Sequence, residues 1–291
     1  MKKYNNIDNA GIGTISDLLS NGIEVSPRGM KCKEIINYHI SIIDATNQMI
    51  TLKKRKLNYA FQIIEKMSFV SGKECPDLIC MYNSNMKNFK NEETGFFDGD
   101  YAPRIYRQLN WVYETLTNDP DSRQAVITIR NETDEKPTKD HPCTLSFQFF
   151  IRDNKLQMVT TMRSNDAYIS CLGYDLMNFM FVQNVLAAWL GIDVGQYHHN
   201  VGSMHIYENH YDRFEYLSKN NETNNIKNKI CNTWDLDYND TYETLESFWI
   251  EEERIRNVGK FIPTGHVITD NLLQYLQKYW ERKSGKKKLK N

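Results

Sequence analysis

The sequence predicts an α+β domain, in which helices pack on one face of a mixed β-sheet. The first observation is a pair of segments, 144–149 and 156–162, in which apolar and polar residues alternate around an Asp153-Asn154 turn. The second is a set of segments whose apolar residues recur at three- and four-residue steps, as on one face of a helix. The third is that strands and helices do not alternate strictly, so a purely parallel α/β sheet is not expected.

The individual elements follow from these periodicities and from the breaks between them. Asp119-Pro120-Asp121-Ser122 interrupts the chain before a short strand, and the charged, proline-containing segment 131–142 is expected to be an exposed loop that ends at Cys143. We expect strands at 32–45, 124–129 and 144–164, and helices at about 57–71, 104–117, 174–190 and 209–219.

Composition indicates one ordinary globular domain covering 1–291, because 291 residues with 40% apolar content can bury a substantial core. The net charge of −1 gives no general sign of nucleic-acid binding, so nucleic acid is not an expected partner. The one biased segment is the lysine-rich end, 282–291, which we expect to be a mobile tail.

The cysteines and the longest apolar run indicate the compartment. Six cysteines without a CxxC pair, and no signal peptide, are typical of reduced thiols in a cytoplasmic protein. The run 176–190 contains Asn178, Gln183 and Asn184, so it is expected to be a buried helix and not a membrane span.

Three motifs carry candidate chemistry: His141-Pro142-Cys143-Thr144, Arg163-Ser164-Asn165-Asp166 and Gly202-Ser203-Met204-His205-Ile206-Tyr207. A thiol can add to a pyrimidine ring. An adjacent guanidinium and hydroxyl can both donate to one phosphate, and a histidine and a tyrosine two apart on a strand share one face, where they can bind a sugar hydroxyl. The histidines of 198–210 have no closed zinc spacing, so no metal site is expected.

With Asp121-Ser122-Arg123, these motifs resemble the thymidylate synthase superfamily, which includes the phage-type deoxycytidylate and deoxyuridylate hydroxymethylases. The resemblance runs from about 26 to 210, roughly two thirds of the chain. It implies a homodimer joined sheet to sheet, a pyrimidine nucleoside monophosphate as substrate, and 5,10-methylenetetrahydrofolate as cofactor.

The same resemblance implies the catalytic residues. Cys143 is the nucleophile that adds to C6 and so makes C5 electron-rich. Glu65 is the buried acid that relays protons, Tyr101 lies near the reacting carbon, and Asp166 completes the catalytic set. We expect Arg163 and Arg123 to lower the pKa of the Cys143 thiol.

It also implies the binding residues. Arg28, Arg163 and Ser164 bind the phosphate, and Arg123 reaches across the dimer into the partner's site. Gln124 stands where the family has a second arginine, so the phosphate site lacks one charge unless Arg130 or Lys139 replaces it. His205 and Tyr207 bind the sugar.

Several positions differ from a synthase and favour a hydroxymethylated product. Thr144, Met162 and Ser203 replace a histidine, a glutamine and an acidic residue. The lysine-rich end is unlike the apolar terminus that closes a synthase site, and Tyr82 is the aromatic residue nearest to the tryptophan that packs on the folate. Without these closing parts, water reaches the exocyclic methylene intermediate.

Asp175 favours a cytosine base. It matches the family's asparagine if one residue is inserted after Asp166, and a carboxyl group suits the amino group and N3 of cytosine. The alternative is that Asp175 caps a helix. The alternative functions are a deoxyuridylate hydroxymethylase, a divergent thymidylate synthase, and an inactive homologue that binds nucleotide or RNA. A cysteine hydrolase lacks its oxyanion and base motifs.

Overall fold

The computed structural model describes residues 2–223 and 234–288, with side chains described as far as 285. The strands are β1 Lys2–Tyr4, β2 Ile23–Val25, β3 Cys32–Ile42, β4 Val126–Thr128, β5 Thr144–Arg152, β6 Lys155–Asp166 and β7 Asp193–Tyr207. The helices are α1 Ile7–Asn21, α2 Tyr59–Ser71, α3 Pro76–Tyr82, α4 Ala102–Asn118, α5 Asp175–Trp189, α6 Tyr211–Lys219, α7 Tyr238–Val258 and α8 Val267–Lys288.

The described strands form one mixed sheet in the order β1-β3-β7-β6-β5-β4, with β2 paired to β3. β5 and β6 form the predicted hairpin, and Asp153 and Asn154 both have positive φ angles, 53° and 54°. Two left-handed residues match the twist of a tight hairpin. β6 and β7 are parallel and are connected through α5. The predicted α+β class is confirmed.

Helix α5 is buried along nearly its whole length, as its apolar sequence predicts. It packs against α2 on one side and against β6 and β7 on the other. Phe179 lies against Phe147 of β5, with ring centroids 4.7 Å apart. Polar residues inside this helix donate through their amide nitrogens: Gln183 donates to the Leu156 carbonyl at 2.8 Å, while its own side-chain oxygen has no partner among the described residues. No helix of the described residues has the length and apolarity that a membrane crossing needs.

The predicted boundaries hold to within a few residues for most elements, but the strand expected at 32–45 ends at Ile42 and the one at 124–129 is shorter. The periodicities did not predict α1, α3, α7 or α8. The described part of the basic end continues α8 to Lys288, and residues 289–291 lie outside the described residues.

Candidate active site

Cys143 is held at the start of β5 by the phenol of Tyr101. The Tyr101 hydroxyl oxygen accepts the backbone N–H of Cys143 at 3.1 Å and that of Thr144 at 3.0 Å. Tyr101 is half-buried, and its own O–H is left to donate in another direction. Tyr101 therefore fixes the backbone of the nucleophile and can also donate to a ligand.

The loop before Cys143 is anchored by a buried ion pair. Arg104 of α4 donates to both carboxylate oxygens of Asp134, at 2.6 and 2.7 Å. It also donates to the backbone carbonyls of Asp98 and Ile129. A bidentate arginine restricts both partners, so the segment predicted to be a loop reaches Cys143 in one conformation.

Arg163 of β6 lies beside the thiol. Its Nε donates to the Pro142 carbonyl at 3.0 Å, and one terminal nitrogen lies 3.2 Å from the His141 carbonyl and 3.5 Å from Cys143 Sγ. The neighbouring strand contributes Gly202, where a Cβ would lie 2.8 Å from the Arg163 carbonyl oxygen. A glycine is therefore needed for β7 to approach the arginine.

The pKa of the Cys143 thiol differs from the sequence-based expectation that it is lowered. Burial raises the pKa of Cys143, and Arg163 is the largest effect in the opposite direction. Asp175 and Asp140 raise the pKa further, while Arg28 lowers it. Arg123 is exposed and is not among the main influences on this thiol. Arg163 lowers the pKa of Cys143, as expected, but the effect of burial is larger.

An inner cavity of about 210 Å³ contains most of the predicted catalytic groups. Glu65 of α2 lines it, and burial raises the pKa of this carboxyl to about 8, with Asp175 adding to the rise. Asn178 opposes the rise by donating to Glu65 at 2.6 Å. The cavity is also lined by Tyr101, Cys143 and Asp175.

Asp175 is the first residue of α5, and the N-cap position belongs to Tyr174. The helix-cap alternative is therefore wrong. Asn165 donates to Asp175 Oδ2 at 2.8 Å. Burial raises the pKa of Asp175 to about 6, while the hydrogen bonds from Asn165 and Ser170 lower it.

A π-helical turn, Ala167–Cys171, joins β6 to this site. The Leu172 N–H donates to the carbonyl of Ala167, five residues earlier, at 2.8 Å. Such a turn holds one residue more than an α-helical turn. It therefore accommodates the extra residue that the sequence match requires between Asp166 and Asp175.

An outer cavity of about 550 Å³ also reaches Cys143. It is lined by one acidic residue, Asp140, and by four cations, namely Arg28, Arg130, Lys139 and Arg163. Arg28 has a left-handed backbone with φ of 55°, and Gly29 follows with φ of 78°. A non-glycine residue in this region is strained, which is common at binding sites. Arg130 and Lys139 both line this cavity, so either of them could replace the missing family arginine.

The remaining predicted residues do not line either cavity in the single chain. Asp166 accepts from the N–H groups of Tyr168 and Ile169, and its Oδ2 is buried without a partner among the described residues. His205 is buried, and its ring lies edge-on to Tyr207, with centroids 5.1 Å apart. Arg123 and Ser164 likewise line neither cavity.

Tyr82 differs from the expectation that it is the residue nearest to a folate-packing aromatic. Its ring is buried away from the cavity. Its hydroxyl group donates to Glu252 at 2.8 Å and accepts from the Trp280 indole at 2.7 Å. Its place in the cavity wall is taken by Ile79, one turn earlier on α3. Glu252 belongs to α7 and Trp280 to α8, and both helices lie outside the sequence motifs.

Sequence reasoning also missed two acidic residues of the inner cavity. Asp100 and Asp140 both line it, and burial raises the pKa of Asp100 to about 6. Asp140 accepts from the Gly99 N–H at 2.8 Å. Their proximity to Tyr101 and Cys143 in sequence was the available signal, since neighbours of catalytic residues often face the same cavity.

Comparison with known proteins identifies the family. The thymidylate synthase family model matches residues 14–257. The chain belongs to the thymidylate synthase family. It is 33% identical to the deoxyuridylate hydroxymethyltransferase of Bacillus phage SP01 over 215 residues, 68% of this chain and 56% of that protein. It is 26% identical to the thymidylate synthase of Staphylococcus haemolyticus (strain JCSC1435) over 172 residues, 58% of this chain and 51% of that protein. The chain thus spans about half the length of these relatives.

Proposed function

We propose that this member of the thymidylate synthase family is a folate-dependent deoxycytidylate 5-hydroxymethylase. The observation that carries the proposal is that the carboxyl group of Asp175 lines the same cavity as Cys143 and Glu65. A nucleophile, a proton relay and a polar group for the base are then within reach of one pyrimidine.

A carboxyl group suits the cytosine edge, which has an amino donor at C4 and an acceptor at N3. A protonated Asp175 can donate to N3 with one oxygen and accept from the amino group with the other. The raised pKa of Asp175 keeps such a proton accessible near neutral pH. An ionised carboxylate faces O4 of uracil with like partial charge, which disfavours deoxyuridylate.

The phosphate binds in the outer cavity, where Arg28, Arg130, Lys139 and Arg163 surround an anion with positive charge. Since both cavities reach Cys143, one nucleotide can place its phosphate in the outer cavity and its ring in the inner one. His205 and Tyr207 bind the sugar hydroxyl in this proposal.

The thiolate of Cys143 forms a bond to C6, and the electron pair of the C5–C6 double bond moves to C5. C5 then bonds the one-carbon unit, whose chemistry 5,10-methylenetetrahydrofolate supplies when it binds. Once the C5 proton is lost and the bond to the folate nitrogen breaks, the one-carbon unit would stay on the ring as a methylene group. The oxygen of a water adds to it, the Cys143–C6 bond breaks, and Glu65 relays the protons.

The inner cavity, at about 210 Å³, is smaller than a whole folate, but its mixed lining suits the pteridine ring. Ile79, Phe69 and Phe97 offer apolar contacts, and Asp100 and Asp140 offer acceptors to the amino and N–H groups of a pteridine. Tyr82 faces α8, so the α3 side of the cavity is lined by Ile79 and not by an aromatic ring, which supports entry of water.

A second candidate is the same reaction on deoxyuridylate. It is favoured by the 33% identity to a relative that is named a deoxyuridylate hydroxymethyltransferase. A divergent thymidylate synthase is favoured less, because the relative of that name is 26% identical.

We infer a cytoplasmic homodimer joined through the second face of the sheet. Phe147, Phe149 and Met158 point to the core and are fully buried. The alternate residues Phe150 and Val159 remain half-buried in the single chain. A partner on this face would cover them, and Arg123 would then be available to the partner's site.

Product analysis tests the proposal. The protein is incubated with 5,10-methylenetetrahydrofolate and with deoxycytidylate, cytidylate or deoxyuridylate, and the products are identified by mass. We expect 5-hydroxymethyldeoxycytidylate, with tetrahydrofolate released unoxidised. Dihydrofolate formed in proportion to product would instead identify a synthase, and product from deoxyuridylate alone would favour the second candidate.

A further inference from the structure

A line of hydrogen bonds runs behind Asp175 and crosses from β7 to β6. The Tyr197 hydroxyl lies 3.0 Å from His199 Nδ1, and His199 Nε2 lies 3.3 Å from Asn165 Oδ1. Asn165 Nδ2 lies 2.8 Å from Asp175 Oδ2. Tyr197 and His199 have no exposed surface and Asn165 has almost none.

The direction of the last bond is fixed by its acceptors. The Ser170 hydroxyl has one proton, which goes to an oxygen of Asp166 or Asp175, so Ser170 Oγ must accept from Asn165 at 2.7 Å. The Asn165 atom that faces both Ser170 and Asp175 is therefore the amide nitrogen. Asn165 Oδ1 therefore faces His199 and needs a donor there.

His199 supplies that donor in one tautomer only. Burial lowers the pKa of His199 to about 3, so the imidazole is neutral and carries one N–H. With Asn165 Oδ1 beside Nε2, the proton is on Nε2, and Nδ1 accepts the hydroxyl proton of Tyr197. Every donor in the line then points towards Asp175, and Asp175 Oδ2 is an acceptor.

We propose that His199 and Asn165 are positioning residues that set the base specificity of Asp175. They hold Oδ2 as the accepting oxygen, so that a proton on the carboxyl group can reside only on Oδ1. The inference rests on the proposed function, because it takes Asp175 to be the group that contacts the pyrimidine.

The physical reason is the order of donor and acceptor along the base edge. Cytosine needs an acceptor opposite C4 and a donor opposite N3, and uracil needs the reverse. A carboxyl group that could exchange its proton between its two oxygens would match both bases. A carboxyl group whose protonation order is fixed from behind matches one of them.

Equilibrium affinities of deoxycytidylate and deoxyuridylate, measured by calorimetry on the full chain without folate, test the proposal. In His199→Phe the ratio of the two affinities should move about tenfold towards one, as expected when a buried polar match is lost. His199→Gln keeps an N–H donor and should retain most of the ratio. In an Asp175→Ala background, His199→Phe should change the ratio no further.

An unchanged ratio in a His199→Phe protein that melts cooperatively would overturn the proposal, and so would an equal change in the Asp175→Ala background. If His199→Phe does not fold, Asn165→Ala removes the last link with a smaller change, and the same two results decide. Because binding needs no turnover, a protein that makes no hydroxymethylated product but whose affinity ratio moves towards one in His199→Phe refutes the proposed function and supports this inference.

Discussion

Asn178 of α5 donates to the carboxylate of Glu65 on α2 at 2.6 Å, inside the cavity that contains the nucleophile. The same amide accepts from Gln62 at 3.2 Å, so its orientation is set from the other side. The bond favours the ionised acid, while burial favours the neutral acid, and burial dominates. Glu65 is thus held in place as a group that can gain and lose a proton near pH 8.

Glu65→Gln should make the stability of the protein less dependent on pH. Burial raises the folded-state pKa from 4.5 to about 8. The stability contribution of Glu65 is therefore fully present below about pH 4.5 and is lost as pH rises towards 8. Chemical denaturation at pH 5 and pH 8 should show the variant gaining on wild type by an amount on the order of a few kcal/mol. Glu74→Gln, at an exposed position, is the control and should show no such gain.

Asp175→Asn should shift base preference from deoxycytidylate towards deoxyuridylate by about tenfold or more, because an amide matches the uracil edge. Competition between the two nucleotides, with products counted by mass, measures the shift. A preference that stays the same in the variant would show that Asp175 does not contact the base.

Deoxycytidylate binding should take up a proton above pH 6. Burial raises the pKa of Asp175 to about 6, so the free carboxyl is ionised at higher pH, and donation to N3 requires the acid form. The affinity for deoxycytidylate should therefore fall about tenfold per pH unit above about pH 6. Calorimetry in buffers of different ionisation enthalpy counts the proton. Asp175→Asn with deoxyuridylate is the control, since it keeps Glu65, Asp100 and the phosphate and removes only the carboxyl group of residue 175.

Arg130→Ala and Lys139→Ala should each weaken nucleotide binding about tenfold, because each removes a cation from the outer cavity. Affinity for deoxycytidine, which has no phosphate, should not change in either variant. Fluorescence or calorimetric titration of both ligands separates the two effects. An equal loss for nucleoside and nucleotide would mean that the loop, and not the phosphate contact, is affected.

Cys143→Ala and Arg123→Ala should complement each other in a mixed dimer. If Arg123 serves the partner's site, one of the two sites keeps both residues, and about half of the wild-type activity per dimer is restored from two inactive parents. Turnover of the co-expressed, doubly tagged dimer measures this. A monomer with full activity in solution would contradict the shared site.

Local patterns predicted the parts of the fold that local physics determines. The Asp153-Asn154 hairpin follows from alternation and a turn, and α5 follows from an apolar run too polar for a membrane. The site residues that motifs identified, such as Cys143, Glu65 and Asp175, do meet in one cavity. The line through His199 was not predictable, because it joins residues 34 apart in sequence across two parallel strands. The raised pKa of Cys143 was missed because burial is a property of the folded chain.

The π-helical turn Ala167–Cys171 makes the length of the connection as important as the identity of the residue after it. Removing one residue would convert it to an α-helical turn and rotate the start of α5 by about 100°. Asp175 would leave the cavity, and its bond to Asn165 would be lost. Giving the base preference of this chain to a relative with a shorter connection therefore requires transplanting the whole turn, because an aspartate at the end of the shorter turn would not reach the cavity.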